Sequence, residues 1–378
     1  MPDVLIYGDT TRSPELRHEI PVGVPDPFLY AEAGGVRHLA VNSMEAPRLR
    51  GLGIEVHLLD EFGLDELRAS GKPFSEIQDE LALRAVRTFG ITHAVVPVGF
   101  PIGLADLLRA NGIELTPERD LFDDRRRVKN AAELEGIRRA QAAADAGMGA
   151  ARDLLRRAKA NGGGALEVDG APLTSERIKI AISQAFVEHG ATGDEFIVSH
   201  GPQSAIGHEM GSGPILAGEP IVIDIWPRDN ESACYADMTR SFVVGEIPAE
   251  VADWHRYVKE ALDRARSELR PGVIGREVFD GTCDIFEAAG YPTQRTKEPG
   301  KPLEEGFFHG LGHGVGLEVH EEPGLGLTSR KPLVAGDVVT IEPGLYRPGF
   351  GGLRLEDLVL ITEDGAENLT NFPYDLTP

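Results

Sequence analysis

The chain has 378 residues, enough for two domains, and its 41% hydrophobic content suits a soluble globular protein with a sizeable core. Its 61 acidic against 38 basic residues leave a net charge of −23, a surface that repels phosphate backbones and excludes a nucleic-acid partner. Two cysteines, Cys234 and Cys283, make no disulfide framework, no apolar run approaches the roughly 20 residues of a membrane span, and the N-terminus has no basic leader, so a cytoplasmic location without membrane contact is expected.

Residues 1–124 read as a small α/β domain. The β-like runs Val4–Tyr7, Leu39–Val41, Val56–Leu59 and Ala94–Val98 alternate with helical stretches such as Pro73–Phe89. The histidines of this region (His18, His38, His57, His93) are scattered, and each is read as ordinary surface or satisfied core. Charges cluster in TPERDLFDDRRRVKN, where Asp123 and Asp124 precede Arg125–Arg127, so this segment is read as a solvated connector.

The second domain is expected over 125–378. Asn130, with Glu133 three residues on, has the pattern of a capping box and starts a long helix that stops at Asn161-Gly-Gly-Gly. A second helix runs from about Thr174 to Gly190, followed by a strand around Phe196–Ser199 and a β-rich stretch, Pro220 to Gly245. Helices over Ala249–Leu269 and Arg276–Ala289 come next, closed by Pro271-Gly272 and Gly290. A last β-rich stretch covers Glu305 to Thr362. Helix pair, strands, helix pair, strands suggests two similar halves of one α+β domain.

Three segments put charge where strands should be apolar. In the first, Asp224 ends the run Ile221-Val222-Ile223 and Asp237 precedes Phe242-Val243-Val244, with Pro227 to Ser232 as the loop of a hairpin. Two ionised carboxylates side by side in a strand core are costly without a cation between them; the alternative is that one faces solvent or pairs with Arg228 or Arg240. In the second, Glu342 follows Val338-Val339-Thr340-Ile341, and Glu356 shares a face with Arg354, Leu358 and Leu360 by period-two alternation. Taken alone, Glu356 reads best as a salt bridge to Arg354. In the third, His309, His313 and His320 interleave with glycines in FFHGLGHGVGLEVHEEP, where glycine lets backbone approach a packed centre. Four strand-borne carboxylates with at least one imidazole make a ligand set for two divalent ions, and mainly oxygen ligands suit Mn²⁺, Co²⁺ or Zn²⁺.

The segments DMTRSF, HGLGHGVGLEVHEEP, IEPGLY and LRLEDLVLIT, with ligands in the order Asp, Asp, His, Glu, Glu, resemble the prolidase and aminopeptidase P group of metallopeptidases. The resemblance covers roughly 125–378 and implies a pita-bread catalytic domain behind a creatinase-like N-terminal domain. It implies two metal ions, Mn²⁺ foremost, held by Asp224, Asp237, His313, Glu342 and Glu356. Asp224 would bind one ion through both oxygens, Asp237 and Glu356 would bridge, and Glu342 would also handle the proton. By the same resemblance His208 and His320 stabilise the tetrahedral intermediate, His309 lines the substrate pocket, and Arg354 lies behind the ligands or contacts substrate. Two departures stand out: Asp224 and Asp237 lie two residues further apart than in the family pattern, and Trp226 stands where glycine is usual.

The implied substrate is a proline-containing peptide, cut before proline, in a homodimer whose N-terminal domain helps cover the neighbour's site. Xaa-Pro dipeptidase is preferred over an aminopeptidase acting on longer peptides; a dipeptidase needs a cation for the substrate carboxylate, with Arg354, Arg347 and His309 as candidates. A metal-free amidinohydrolase or a non-catalytic binding protein on the same scaffold has no reason to keep all five ligands.

Overall fold

The computed structural model describes residues 2–378, which fall into two compact units, 2–126 and 127–378. The boundary lies two residues beyond the expected one, near the end of a helix, Asp120–Arg127, where a connector was expected.

The first unit is a six-stranded sheet with helices on both faces. Its strands are β1 (Val4–Gly8), β2 (Phe28–Ala33), β3 (Val36–Val41), β4 (Glu55–Leu58), β5 (His93–Val96) and β6 (Glu114–Pro117), in the order β4-β3-β2-β1-β5-β6. β2 is absent from the runs read from the sequence; the turn between it and β3 needs positive φ at Gly34 and Gly35, +58° and +85°, which glycine supplies without strain. Alternation along β1 sends Leu5 to one apolar layer and Val4 and Ile6 to the other. The first layer is closed by the helix Phe74–Thr88, whose Ile77, Leu81, Ala82, Ala85 and Val86 are buried.

One expectation for this unit fails. Arg125 is not solvated: its guanidinium is held 2.9 Å from Glu19 and 2.7 Å from Glu32, which fixes the helix end to β2. His38 and His57, read as ordinary surface or satisfied core, come together on neighbouring strands. β3 and β4 pair in parallel with His38 opposite Glu55 and Ala40 opposite His57, and the two rings meet, Nδ1 to Nε2, at 3.3 Å.

The second unit follows the expected order. Asn130 caps the helix Ala131–Arg157 by accepting from the Glu133 amide at 3.0 Å, while Glu133 accepts from the Asn130 amide at 2.9 Å. The helix Ser175–Glu188 packs beside it, capped by Thr174. This pair covers an antiparallel sheet of Ile197–His200, Ile221–Ile225 and Met238–Phe242. The helices Ala249–Glu268 and Gly275–Ala288 form the second pair. With them comes a five-stranded sheet ordered Glu321–Leu325, Gly312–Gly314, Val338–Ile341, Asp357–Thr362, Gly365–Asn368. Trp254, Phe279, Phe286 and Phe307 fill the core beneath these helices.

One strand expectation needs correction. The run from Gly351 to Thr362 is not continuous: Gly351–Arg354 pairs with Gly344–Arg347, and Asp357–Thr362 joins the five-stranded sheet. Leu355 and Glu356 form the step between them. Arg354 and Glu356 therefore reach the cavity described below, while Leu358 and Leu360 pack in an apolar cluster with Ile137 and Val338.

Candidate metal centre

Strand register decides where the charges meet. Asp224 on Ile221–Ile225 pairs with Thr239 on the neighbouring strand. Asp237 is two residues before Thr239, hence on the same face and diagonal to Asp224. The long Asp224–Asp237 connection is a folded excursion: Arg228–Asp229 pairs with Ala191–Thr192, and Asp229 is gripped by Arg139 at 2.9 Å and 3.0 Å. In the larger sheet, Ile341 opposite Asp357 brings Glu342 and Glu356 to facing positions one step beyond the paired strands.

His313 comes in on the short strand Gly312–Gly314, and the flanking glycines explain how. A Cβ on Gly312 would lie 2.0 Å from the Thr340 carbonyl oxygen, and one on Gly314 would lie 2.5 Å from that of Glu322. Only glycine lets the strand sit this tightly. The His313 amide donates to the Thr340 hydroxyl at 3.1 Å, and its Nε2 lies 3.7 Å from Asp237 and 3.6 Å from Glu342.

Nine of the residues singled out from the sequence line one cavity of about 800 Å³: Asp224, Asp237, His313, Glu342, Glu356, His208, His320, His309 and Arg354; Arg347 is not among its lining residues. Trp226 is also in its wall, with Ile197, Ile206, Met210, Phe308 and Val319 as the apolar lining. One ligand atom from each of Asp237, His313 and Glu356 lies within 4.8 Å of the others. His320 stacks edge-on against His313 with ring centroids 4.2 Å apart.

Arg354 departs from the simple expectation of a pair with Glu356. Its guanidinium donates to Asp224, to the Tyr346 hydroxyl at 2.9 Å and to the Thr239 hydroxyl at 3.1 Å. Glu356 instead accepts from Thr239 Oγ1 at 2.6 Å. Arg240 is taken by Asp357, 2.9 Å away. Tyr346 also faces His309 Nε2 at 3.0 Å, so one phenol links the arginine to the pocket histidine. Neither Tyr346 nor Thr239 was assigned a role from sequence. Both lie in motifs that carried the resemblance (IEPGLY, DMTRSF), but a hydroxyl in a strand has no pattern of its own to mark it.

The electrostatics are those of a cation site. Four carboxylates share the cavity with one guanidinium. Burial, followed by repulsion from neighbouring carboxylates, pushes Asp237 and Glu356 well above the usual range. Burial raises Glu342 to about 8, against the pull of Arg354. Burial also keeps the imidazoles neutral, His309 down to about 3 and His313 to about 4. Asp237 Oδ1 is buried with no hydrogen-bond partner among the described residues. A buried, unpartnered carboxylate oxygen beside two more acids and a neutral imidazole is the donor set of a divalent ion, and the residues present fit one.

The family model for metallopeptidase family M24 matches residues 135–363. A probable dipeptidase, PepE, of Mycobacterium tuberculosis is 32% identical over 283 residues, covering 74% of this chain and 68% of that one. The Xaa-Pro dipeptidase of Pyrococcus furiosus is 32% identical over 271 residues, 71% of this chain and 70% of the relative. Among solved structures, the prolidase from Pyrococcus horikoshii OT3 matches with a TM-score of 0.76 at 25% identity, covering 100% of this chain and 95% of that one. The second unit accordingly has the pita-bread fold that the resemblance implied. The matched segment contains every one of the nine cavity residues, and the chain belongs to metallopeptidase family M24, divalent-metal-dependent enzymes that cut peptides.

Proposed function

We propose that this chain is a dinuclear-metal Xaa-Pro dipeptidase, with Asp224, Asp237, His313, Glu342 and Glu356 as the ligands and Mn²⁺ as the preferred ion. The observation that carries the reading is the meeting of these five residues in one buried cavity with Asp237 Oδ1 left unpartnered. The 32% identity to a Xaa-Pro dipeptidase supports the choice of substrate. Two ions so held would polarise the scissile carbonyl and make water at the site a better nucleophile.

The chain's own residues then divide the remaining work. Glu342 takes the proton from the attacking water at its carboxylate and passes it to the departing proline nitrogen. His208 and His320 donate to the oxygen on which negative charge builds. The apolar lining of Ile197, Met210, Phe308 and Val319 would receive the proline ring and the side chain before it. Arg354 acts as a positioning residue, holding Asp224 while Tyr346 and Thr239 hold it in turn.

One observation favours a second reading, an aminopeptidase acting on longer Xaa-Pro peptides. The only guanidinium among the lining residues, Arg354, is occupied by Asp224, His309 is held neutral, and Arg347 is bound to Glu250. No arginine or lysine among the described lining residues is then left free for a dipeptide carboxylate. Release of proline from Ala-Pro and cleavage of a longer Xaa-Pro peptide, each with Mn²⁺, Co²⁺, Zn²⁺ or chelator, separates the two. Metal-dependent cleavage of Ala-Pro alone supports the dipeptidase, cleavage mainly of the longer peptide supports the aminopeptidase, and inactivity on both removes the Xaa-Pro reading. The same proposal places the enzyme in the cytoplasm as a homodimer; a fully active monomer by light scattering would contradict the latter.

A further inference from the structure

Away from the catalytic cavity, one other group of described residues brings three metal-binding side chains together: His38, Glu55 and His57 in the first unit. The cluster is a product of strand pairing. Glu55 and His57 are two apart on β4 and so share a face, and the parallel register sets His38 of β3 opposite Glu55. Residues 19 positions apart in sequence thus meet at the sheet edge, since β4 is the outermost strand.

The spacing is specific. His38 Nδ1 lies 3.3 Å from His57 Nε2 and 3.3 Å from Glu55 Oε2, and His57 Nε2 lies 3.8 Å from the same oxygen. A tetrahedral ion with bonds of about 2.0–2.1 Å separates its ligands by roughly 3.3–3.4 Å. Two of the three edges match, and the third asks only for a wider angle. The edges around His313 in the catalytic cavity are 3.6 Å and 3.7 Å, so two of the three first-unit edges are shorter than either and one is longer.

The rings are also held in place. His57 Nδ1 faces Glu61 Oε2 at 3.2 Å, which directs the Nε2 lone pair at His38 and Glu55. Glu61 is itself fixed by accepting the Leu58 amide at 2.8 Å. His38 stacks on Phe89 with centroids 4.5 Å apart and planes at 13°, and Phe89 and Phe62 flank His57. Burial keeps His38 below its usual pKa, so its ring is neutral at physiological pH, with His57 reinforcing and Glu55 opposing the shift. The side chain of Glu55 is 61% exposed against 13% for His38 and 25% for His57, leaving the fourth position open to water.

We propose that the first unit carries a divalent-cation site of its own, best suited to Zn²⁺, with His38 Nδ1, Glu55 Oε2 and His57 Nε2 as protein ligands and Glu61 as the residue that orients His57. Two imidazoles and one carboxylate are a common zinc set. The ion would add a side-chain cross-link between β3 and edge strand β4 to their backbone pairing. A proton shared between the two imidazoles would use the same convergence, and metal content distinguishes the two.

The test is equilibrium dialysis of the full-length protein against micromolar Zn²⁺, with bound metal per chain read by elemental analysis for wild type, His57→Gln, His38→Gln and Glu55→Gln. The expected result is one equivalent fewer in each variant, with peptidase activity retained. Co²⁺ substitution should show intense tetrahedral ligand-field bands of which one set vanishes in His57→Gln. Glu55 is exposed, so Glu55→Gln stays folded and reads the site even where a histidine variant does not. Glu61→Gln should weaken zinc by about 10–100-fold without removing the equivalent. Equal zinc content in wild type and all three ligand variants, or an extra equivalent taken up only at millimolar Zn²⁺, overturns the proposal.

Discussion

The two units each bring histidine and carboxylate to within a few ångströms, and the surroundings make the two clusters different in kind. In the second unit Asp237 and Glu356 are 4% and 2% exposed, several acids are pushed towards protonation, and one carboxylate oxygen has no partner. In the first unit the carboxylates face water, and His57 is already satisfied by Glu61. Proximity makes a cluster able to accept a cation; burial of uncompensated charge makes the fold depend on one. The first cluster is thus optional for folding, whereas the second is built around what it binds.

The largest effect expected from this contrast is on activity. Asp237→Asn or Glu356→Gln should cost more than about 100-fold in kcat/KM, beyond the 10–100-fold typical of supporting residues. Metal content measured alongside should fall with it. Arg354→Met should fall within that supporting range, mainly in kcat, and Arg354→Lys should recover little, because a lysine cannot reach Asp224, Tyr346 and Thr239 together. A KM-only effect for Arg354→Met would assign it to substrate binding instead.

The next effect is on stability. With metal chelated, folded Glu342 keeps its proton up to about 8, while in the unfolded chain it is lost near 4.5. The folded state then binds more protons in that window, so stability falls as pH rises and levels off above about 8. His309 and His313, held at about 3 and about 4, act in the opposite direction only below pH 6.5, which leaves 6.5–8 as the clean interval. Melting temperature in chelator should decline across it. In Mn²⁺ the trend should flatten or reverse, because metal binding improves as its ligands deprotonate. A chelated protein whose melting temperature rises from pH 6.5 to 8 would contradict the buried-acid account.

Smaller effects should mark the rim and the first unit. Trp226→Ala opens the cavity wall without touching a ligand, so KM for Xaa-Pro peptides should change several-fold while kcat holds. His57→Gln should leave kcat/KM within about 2-fold, the range of substitutions away from sites that matter to the measured property.

The candidate ligands were legible in part: Asp224, Asp237 and Glu342 stand in or beside apolar strand runs and His313 among glycines, whereas the full set of five came from the family resemblance of the motifs that hold them. Register was not legible: nothing in the residues said that Asp224 would face Thr239, or that Leu355-Glu356 would be a step between two sheets. Arg125–Arg127 was misread for a related reason. A run of arginines looks solvated until the chain brings Glu19 and Glu32 to Arg125, and Asp337 to Arg127 at 2.7 Å. That His38 and His57 would meet was not legible, because local spacing holds no information about a parallel pairing of β3 with β4. Tyr346 and Thr239 were missed because their importance lies in whom they touch.

Anomalous diffraction from crystals soaked in Mn²⁺ tests the central claim most directly. Two peaks about 3.5–4 Å apart, enclosed by Asp224, Asp237, His313, Glu342 and Glu356, are the predicted result. A single peak, or none within reach of Asp237 Oδ1, would contradict a dinuclear centre at this site.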